Sequence, residues 1–145
     1  MRDLPRQLTE SELAELFEGH TRLVEELAKR RDPLGSADGV IGELSEEEKL
    51  EALDAHPAIG AKGLSARSAA EQGMGADPET AAELERLNRE YEERFGFRFV
   101  IFVNRRPKRA IVPILRERLD RSREDELDTG LRELVAIAED RWRRS

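Results

Sequence analysis

The sequence predicts an all-α fold, a single domain over residues 1–145 with about six to eight helices, resting on three observations. Ala, Leu, Glu and Arg dominate the composition, and all four are strong helix formers. Several stretches carry apolar residues at helical spacing behind a Ser or Thr cap with an acidic residue three positions on. Only "FRFVIFV" at 97–103 is strongly β-like, and a lone strand has no ladder partner elsewhere in the chain. It reads as a buried extended segment or a helix start. With 145 residues, 38% hydrophobic and 39% charged, the chain is long enough for one real core. At 5% aromatic, that core is expected to be mostly Leu, Val, Ile and Ala.

The elements follow in order. A first helix is expected from Glu10 to Arg30, with Thr9 as N-cap and Glu12 closing a capping box. Leu13, Leu16, Phe17, Leu23, Val24 and Leu27 form its apolar stripe, and His20 beside that stripe is taken as structural. "RDPLGSADG" at 31–39 reads as a loop. Ser45 with Glu48 starts the next helix, which Pro57 ends at His56 by disfavouring helical geometry there. A short helical turn is expected from Ser68 to Gln72. Asp77-Pro78 opens a long helix to Phe95, lined by Leu84, Leu87 and Tyr91 and capped by Gly96. "RAIVPILRERL" is helical, with Pro113 implying a late start or a kink. Ser122 and Asp125 open the last helix, whose buried face is Leu127, Leu131, Leu134, Val135, Ala138 and Trp142.

Composition narrows the function. A net charge of −7 supplies no global field for nucleic acid, and the basic runs lack interleaved aromatics. The absence of cysteine rules out disulfides and thiolate chemistry. No apolar run is long enough to span a bilayer, and "MRDLPRQLTE" does not resemble a signal peptide. A soluble, cytoplasmic protein is the expectation. Two histidines without His-x-x-x-His or Glu-x-x-His spacing point away from metal. "GMG" lacks the lysine of a phosphate loop, and no glycine-flanked elbow supports a nucleophilic serine.

Two constellations remain. In "DAHPAIG", Pro57 forces the backbone out of helix at His56, and glycines at 60 and 63 let the chain turn back closely. His56 is then either a proton donor or acceptor near neutral pH, or a helix-terminal histidine that only meets the dipole. In "SAAEQG", Ser68 and Glu71 share a helical face with Gln72 beside them. They are either a capping box or a donor–acceptor cluster suited to a urea- or amide-like ligand.

"AHPAIG", "SAAEQG", "LNREYEERFGFRFVIFV" and "VAIAEDRW" occur here in an order that resembles the 2-oxo-4-hydroxy-4-carboxy-5-ureidoimidazoline (OHCU) decarboxylases, the third enzymes of urate breakdown. The resemblance spans roughly residues 8–143. It implies an all-helical fold, no cofactor and no metal, and a small-molecule ureide substrate converted to (S)-allantoin and carbon dioxide. By that resemblance His56 and Glu71 are catalytic. Pro57, Ser68, Gln72, the backbone of Val100, Ile101 and Phe102, and Arg141 bind substrate. Members are often homodimers. Many carry Ser-Pro-Trp in the first helix region, where this chain has Thr21-Arg22-Leu23. Two rival readings stay open: a lyase or hydrolase of a related small ureide, and a non-catalytic helical interaction module.

Overall fold

A computed structural model describes residues 7–57 and 78–144. Among them are seven helices and no strand: α1 (Glu10–Phe17), α2 (Arg22–Ala28), α3 (Ala37–Glu43), α4 (Glu46–Ala55), α5 (Pro78–Phe95), α6 (Lys108–Leu119) and α7 (Arg123–Arg144). None is long and apolar enough to cross a membrane. The 22-residue α7 packs on α1, α3 and α4, while α5 and α6 form a second pair. The core is mainly aliphatic, with Leu13, Leu23, Leu27, Leu53, Leu84, Ile111 and Leu115 at or below 2% exposure.

Local chemistry sets most boundaries. Thr9 and Ser45 each accept from the backbone N–H three residues on, and Glu12 and Glu48 return the bond to the cap's own N–H. The expected stop before Pro57 is present: α4 ends at Ala55, and His56 is extended at φ −81°, ψ 134°. Pro78 occupies the first position of α5, where its missing N–H costs nothing. Gly96 ends α5 at φ +79°, where a side chain would be strained. At α7 the Ser122 hydroxyl accepts from the Asp125 N–H.

Four expectations need correction. The helix expected from Glu10 to Arg30 is two helices, because Glu18 turns left-handed and Thr21 caps α2 by accepting from the Val24 N–H. Helical periodicity runs through this break because both helices bury the same kind of stripe in one core. The loop expected at 31–39 ends early: α3 starts at Ala37 and buries Ala37, Val40 and Ile41. Of the two effects expected of Pro113, the late start does not occur: α6 begins five residues earlier at Lys108 and carries the proline inside it. His20 is not part of the core; it is exposed, 3.9 Å from the Glu10 carboxylate. The helical turn expected from Ser68 to Gln72 lies outside the described residues.

Residues 97–103 are a buried extended segment, the first of the two alternatives for this stretch. Phe97 and Phe99 alternate inward and meet Tyr91 at ring distances of 5.9 and 5.2 Å, both edge-on. With no strand beside it among the described residues, the segment bonds its carbonyls to arginine side chains. Arg118 donates to Val100 at 2.9 Å; Arg106 donates to Phe102 at 2.6 Å and to Val103 at 2.9 Å.

Candidate functional site

The end of α4, the end of α1, the extended segment and the C-terminal half of α7 converge on His56. Pro57 removes His56 from the helix, and the peptide is then fixed from both sides. Its N–H donates to Leu53 at 3.2 Å, and its carbonyl accepts from Arg98 at 2.7 Å. The same Arg98 nitrogen donates to the Asp54 carbonyl, while the Arg98 backbone N–H donates to the Asp54 carboxylate. Arg98 thus caps α4 with one side chain and ties the extended segment to it.

His56 is 7% exposed, and its Nδ1 is buried with no hydrogen-bond partner among the described residues. A buried ring nitrogen left unbonded is unusual and leaves bonding capacity for a ligand. Burial is the main reason its pKa falls from 6.5 to about 4. The Arg141 charge pushes the same way, Glu18 opposes, and Arg98 adds a smaller depression. The ring is therefore uncharged at neutral pH.

Arg141 follows Leu134 and Ala138 at helical spacing, so it turns into the core while Arg143 and Arg144 stay outside it. Its side chain is wholly buried. It donates to the Leu16 carbonyl at 2.8 Å and pairs with Glu18 at 3.2 Å. A buried guanidinium without such partners would be strongly unfavourable.

The backbone at 100–102 is held by charge. Arg118, 5% exposed, lies 4.5 Å over the Phe99 ring and pairs at 2.7 Å with Glu126, which is fully buried. Glu126 also accepts from the Tyr91 hydroxyl at 2.8 Å and pairs with Arg121 at 3.0 Å. Val100 and Phe102 have their carbonyls taken, and the Phe102 N–H reaches Glu133 at 3.4 Å. Asn104 and Arg105, both left-handed, reverse the chain into α6.

Of the residues singled out in the sequence, the structure places His56, Pro57 and Arg141 around one end of α4, with Val100, Ile101 and Phe102 on the segment that Arg98 ties there. Ser68, Glu71 and Gln72 lie outside the described residues. Sequence reasoning missed Glu18, Arg98 and Arg118. Arg98 stands inside "FRFVIFV", where one cation in an apolar run was the available signal; Glu18 looked like an ordinary surface position of a longer helix. Arg22 faces outward to Glu26 at 2.8 Å, and Leu23 is core. A surface groove of about 560 Å³ between α5 and α6 shares none of these residues. Two of its arginines are paired, Arg86 with Glu83 and Glu90, and Arg116 with Glu83. No group of three metal-ligating side chains occurs among the described residues.

An all-helical protein with a neutral imidazole and a paired guanidinium buried at one helix end has the layout of a small-molecule site. The family model for OHCU decarboxylase matches residues 2–143, and the chain belongs to that family of decarboxylases. It is 34% identical over 137 residues to 2-oxo-4-hydroxy-4-carboxy-5-ureidoimidazoline decarboxylase of Haloferax volcanii, covering 86% of this chain and 81% of that protein. It is 32% identical over 127 residues to the protein of the same name from Halalkalicoccus jeotgali, covering 77% and 72%. A crystal structure of OHCU decarboxylase in the presence of (S)-allantoin shares the fold, with a TM-score of 0.75 at 21% identity over 90% of this chain and 94% of that one.

Proposed function

We propose that this chain decarboxylates the ureidoimidazoline acid to (S)-allantoin and carbon dioxide without a cofactor, acting as one domain. The observation that carries the reading is a neutral, buried His56 whose Nδ1 has no partner among the described residues, electrostatically coupled to Arg141, in a chain matched to the family from residue 2 to 143.

The chemistry asks for little more. As the bond to the carboxyl group breaks, its electron pair moves into a double bond between the two ring carbons. The C=N pair shifts to nitrogen, which takes a proton. The hydroxyl then gives up its proton to become the carbonyl, and the ureido-bearing carbon is protonated on one face. His56, being uncharged, accepts the hydroxyl proton in this reading. Arg141 holds the carboxylate and then the developing oxyanion. Backbone groups from Val100 to Phe102 orient the ring, and Pro57 shapes the wall beside His56. Glu71 orients His56 or the ring N–H groups, while Ser68 and Gln72 hold the ureido arm. The total charge of −7 does not oppose an anionic substrate, because the local field of Arg141 outweighs it. A homodimer and a cytoplasmic location accompany the reading, and sedimentation tests the first.

The test is a circular dichroism assay with substrate made in place from urate by urate oxidase and hydroxyisourate hydrolase. The protein is expected to build the (S)-allantoin signal rapidly, whereas spontaneous decay yields a racemate. His56→Asn is expected to lose that signal almost entirely while keeping its helicity. A wild-type trace equal to the blank, from folded protein, refutes the reading.

A further inference from the structure

The turn between α1 and α2 divides its conformational roles unexpectedly. Left-handed backbone belongs by default to glycine, and Gly19 is available. Yet Glu18 takes that conformation, at φ 65° and ψ 26°, its N–H donating to the Ala14 carbonyl. A non-glycine residue held there stores about 1 kcal/mol of strain. Gly19 matters instead for close approach, since a Cβ on it would stand 3.2 Å from the Ala55 Cβ. The missing side chain lets the turn press against the last residue of α4, immediately before His56. The Glu18 carboxylate is thereby carried inward to the Arg141 guanidinium, 3.2 Å away, instead of continuing along the surface of α1.

We propose that Glu18 is a positioning residue of the site, which fixes the Arg141 guanidinium beside His56 and tempers its charge. The inference rests on His56 and Arg141 being the reacting pair. Three features act together: a strained backbone on a charged residue, a close approach that a side chain on Gly19 would crowd, and an ion pair to a wholly buried arginine. Among the described residues, the charged groups acting on the imidazole are Arg141 from α7, Arg98 from the extended segment and Glu18 from the turn. The two cations and burial favour the neutral ring, and of these three charges Glu18 is the one that opposes them. Without it, the ring is harder to protonate and the guanidinium loses one of its anchors.

Glu18→Gln keeps the shape and removes the charge, and Glu18→Asp keeps the charge on a shorter arm. Glu18→Gln is expected to lower kcat about tenfold or more, to change KM less, and to move the acid limb of the pH–rate profile to lower pH. Glu18→Asp is expected to recover part of both losses. A second readout needs no turnover: the His56 ring protons are followed by NMR against pH in the resting protein. In Glu18→Gln the His56 titration is expected to move to lower pH. Unchanged His56 titration, or a kcat loss with no shift of the acid limb and no recovery by Glu18→Asp, overturns the proposal. If wild type fails to form (S)-allantoin, the decarboxylase reading fails by itself, and the NMR comparison still decides whether Glu18 governs His56.

Discussion

Lowering the pH should reveal how much it costs to bury His56. Its imidazole titrates near 6.5 when free and at about 4 in the fold, chiefly because burial penalises the charged form. Between those values the unfolded chain binds a proton that the folded chain refuses, so stability rises with pH. The contribution is present in full above 6.5 and is lost as pH falls towards 4. At pH 5 the linkage amounts to about 2 kcal/mol relative to neutral pH, or a melting temperature lower by about 4–8 °C in a chain of this size. Carboxylates also titrate in this window, so the reference is His56→Asn, which keeps a polar side chain but cannot titrate.

Urea unfolding of both proteins at pH 7.5 and 5.0 measures the effect. Wild type is expected to lose about 2 kcal/mol more than the variant over this interval. High salt should change this difference little, because burial is not screened and Arg141 is itself buried. A wild-type-minus-variant difference that is flat with pH, or grows towards acid, refutes the account of a buried neutral ring. The same physics bears on turnover. A carboxylate arriving near the ring opposes both the burial and the arginine effects and draws the imidazole pKa back up towards neutrality.

Two further perturbations test the frame. Glu126→Ala leaves Arg118 buried without its counter-charge and is expected to destabilise by about 3–5 kcal/mol, read by thermal melting. The double variant Arg118→Met, Glu126→Leu should recover most of that stability, because an apolar pair tolerates the site. Gly96→Ala meets no atom within 4 Å, so its expected loss of about 1 kcal/mol is backbone strain alone at φ +79°. Gly96→Asn should lose less, and equal melting of Gly96→Ala and wild type would contradict this.

How much was legible in the sequence depended on whether the cause was local. The caps at Thr9 and Ser45, the stop at Pro57 and the glycine end at Gly96 are written within three or four residues, and all are in the fold. Most of the buried face of α7 was legible for the same reason: Leu131, Leu134, Val135 and Ala138 are buried, Leu127 and Trp142 only partly, and Arg141 continues the spacing of Leu134 and Ala138. The break at Glu18 was illegible because nothing within the helix demands it. It follows from tertiary contact, where Gly19 meets Ala55 and Glu18 meets Arg141, 123 positions away in the numbering. α3 was hidden by loop-like composition, since Gly39 and Gly42 weaken helix propensity and only burial of Val40 and Ile41 offsets them. The site divides similarly. His56 is marked by its proline, whereas Arg98 and Arg118 matter through backbone carbonyls, which leave no pattern in side-chain identity.

That last point explains why this chain uses arginine so heavily; only four of its 25 basic residues are lysines. An extended segment inside an all-helical protein has polar backbone and no neighbouring strand to bond it. Here guanidinium groups replace the strand. Arg118 serves Val100, Arg106 serves both Phe102 and Val103, and Arg98 serves Asp54 and His56 at the end of α4. Arg141 and Arg123 do the same for Leu16 and Phe95. A lysine has one nitrogen on a flexible stem; the planar fork of arginine reaches two carbonyls while fixing their relative orientation. A strand partner would occupy the N–H groups as well as the carbonyls along its edge. Arginines take carbonyls, and carboxylates take two of the N–H groups: Arg98 donates to Asp54 and Phe102 to Glu133. Opposite charges from the neighbouring helices thus do for this segment what a paired strand does along its edge.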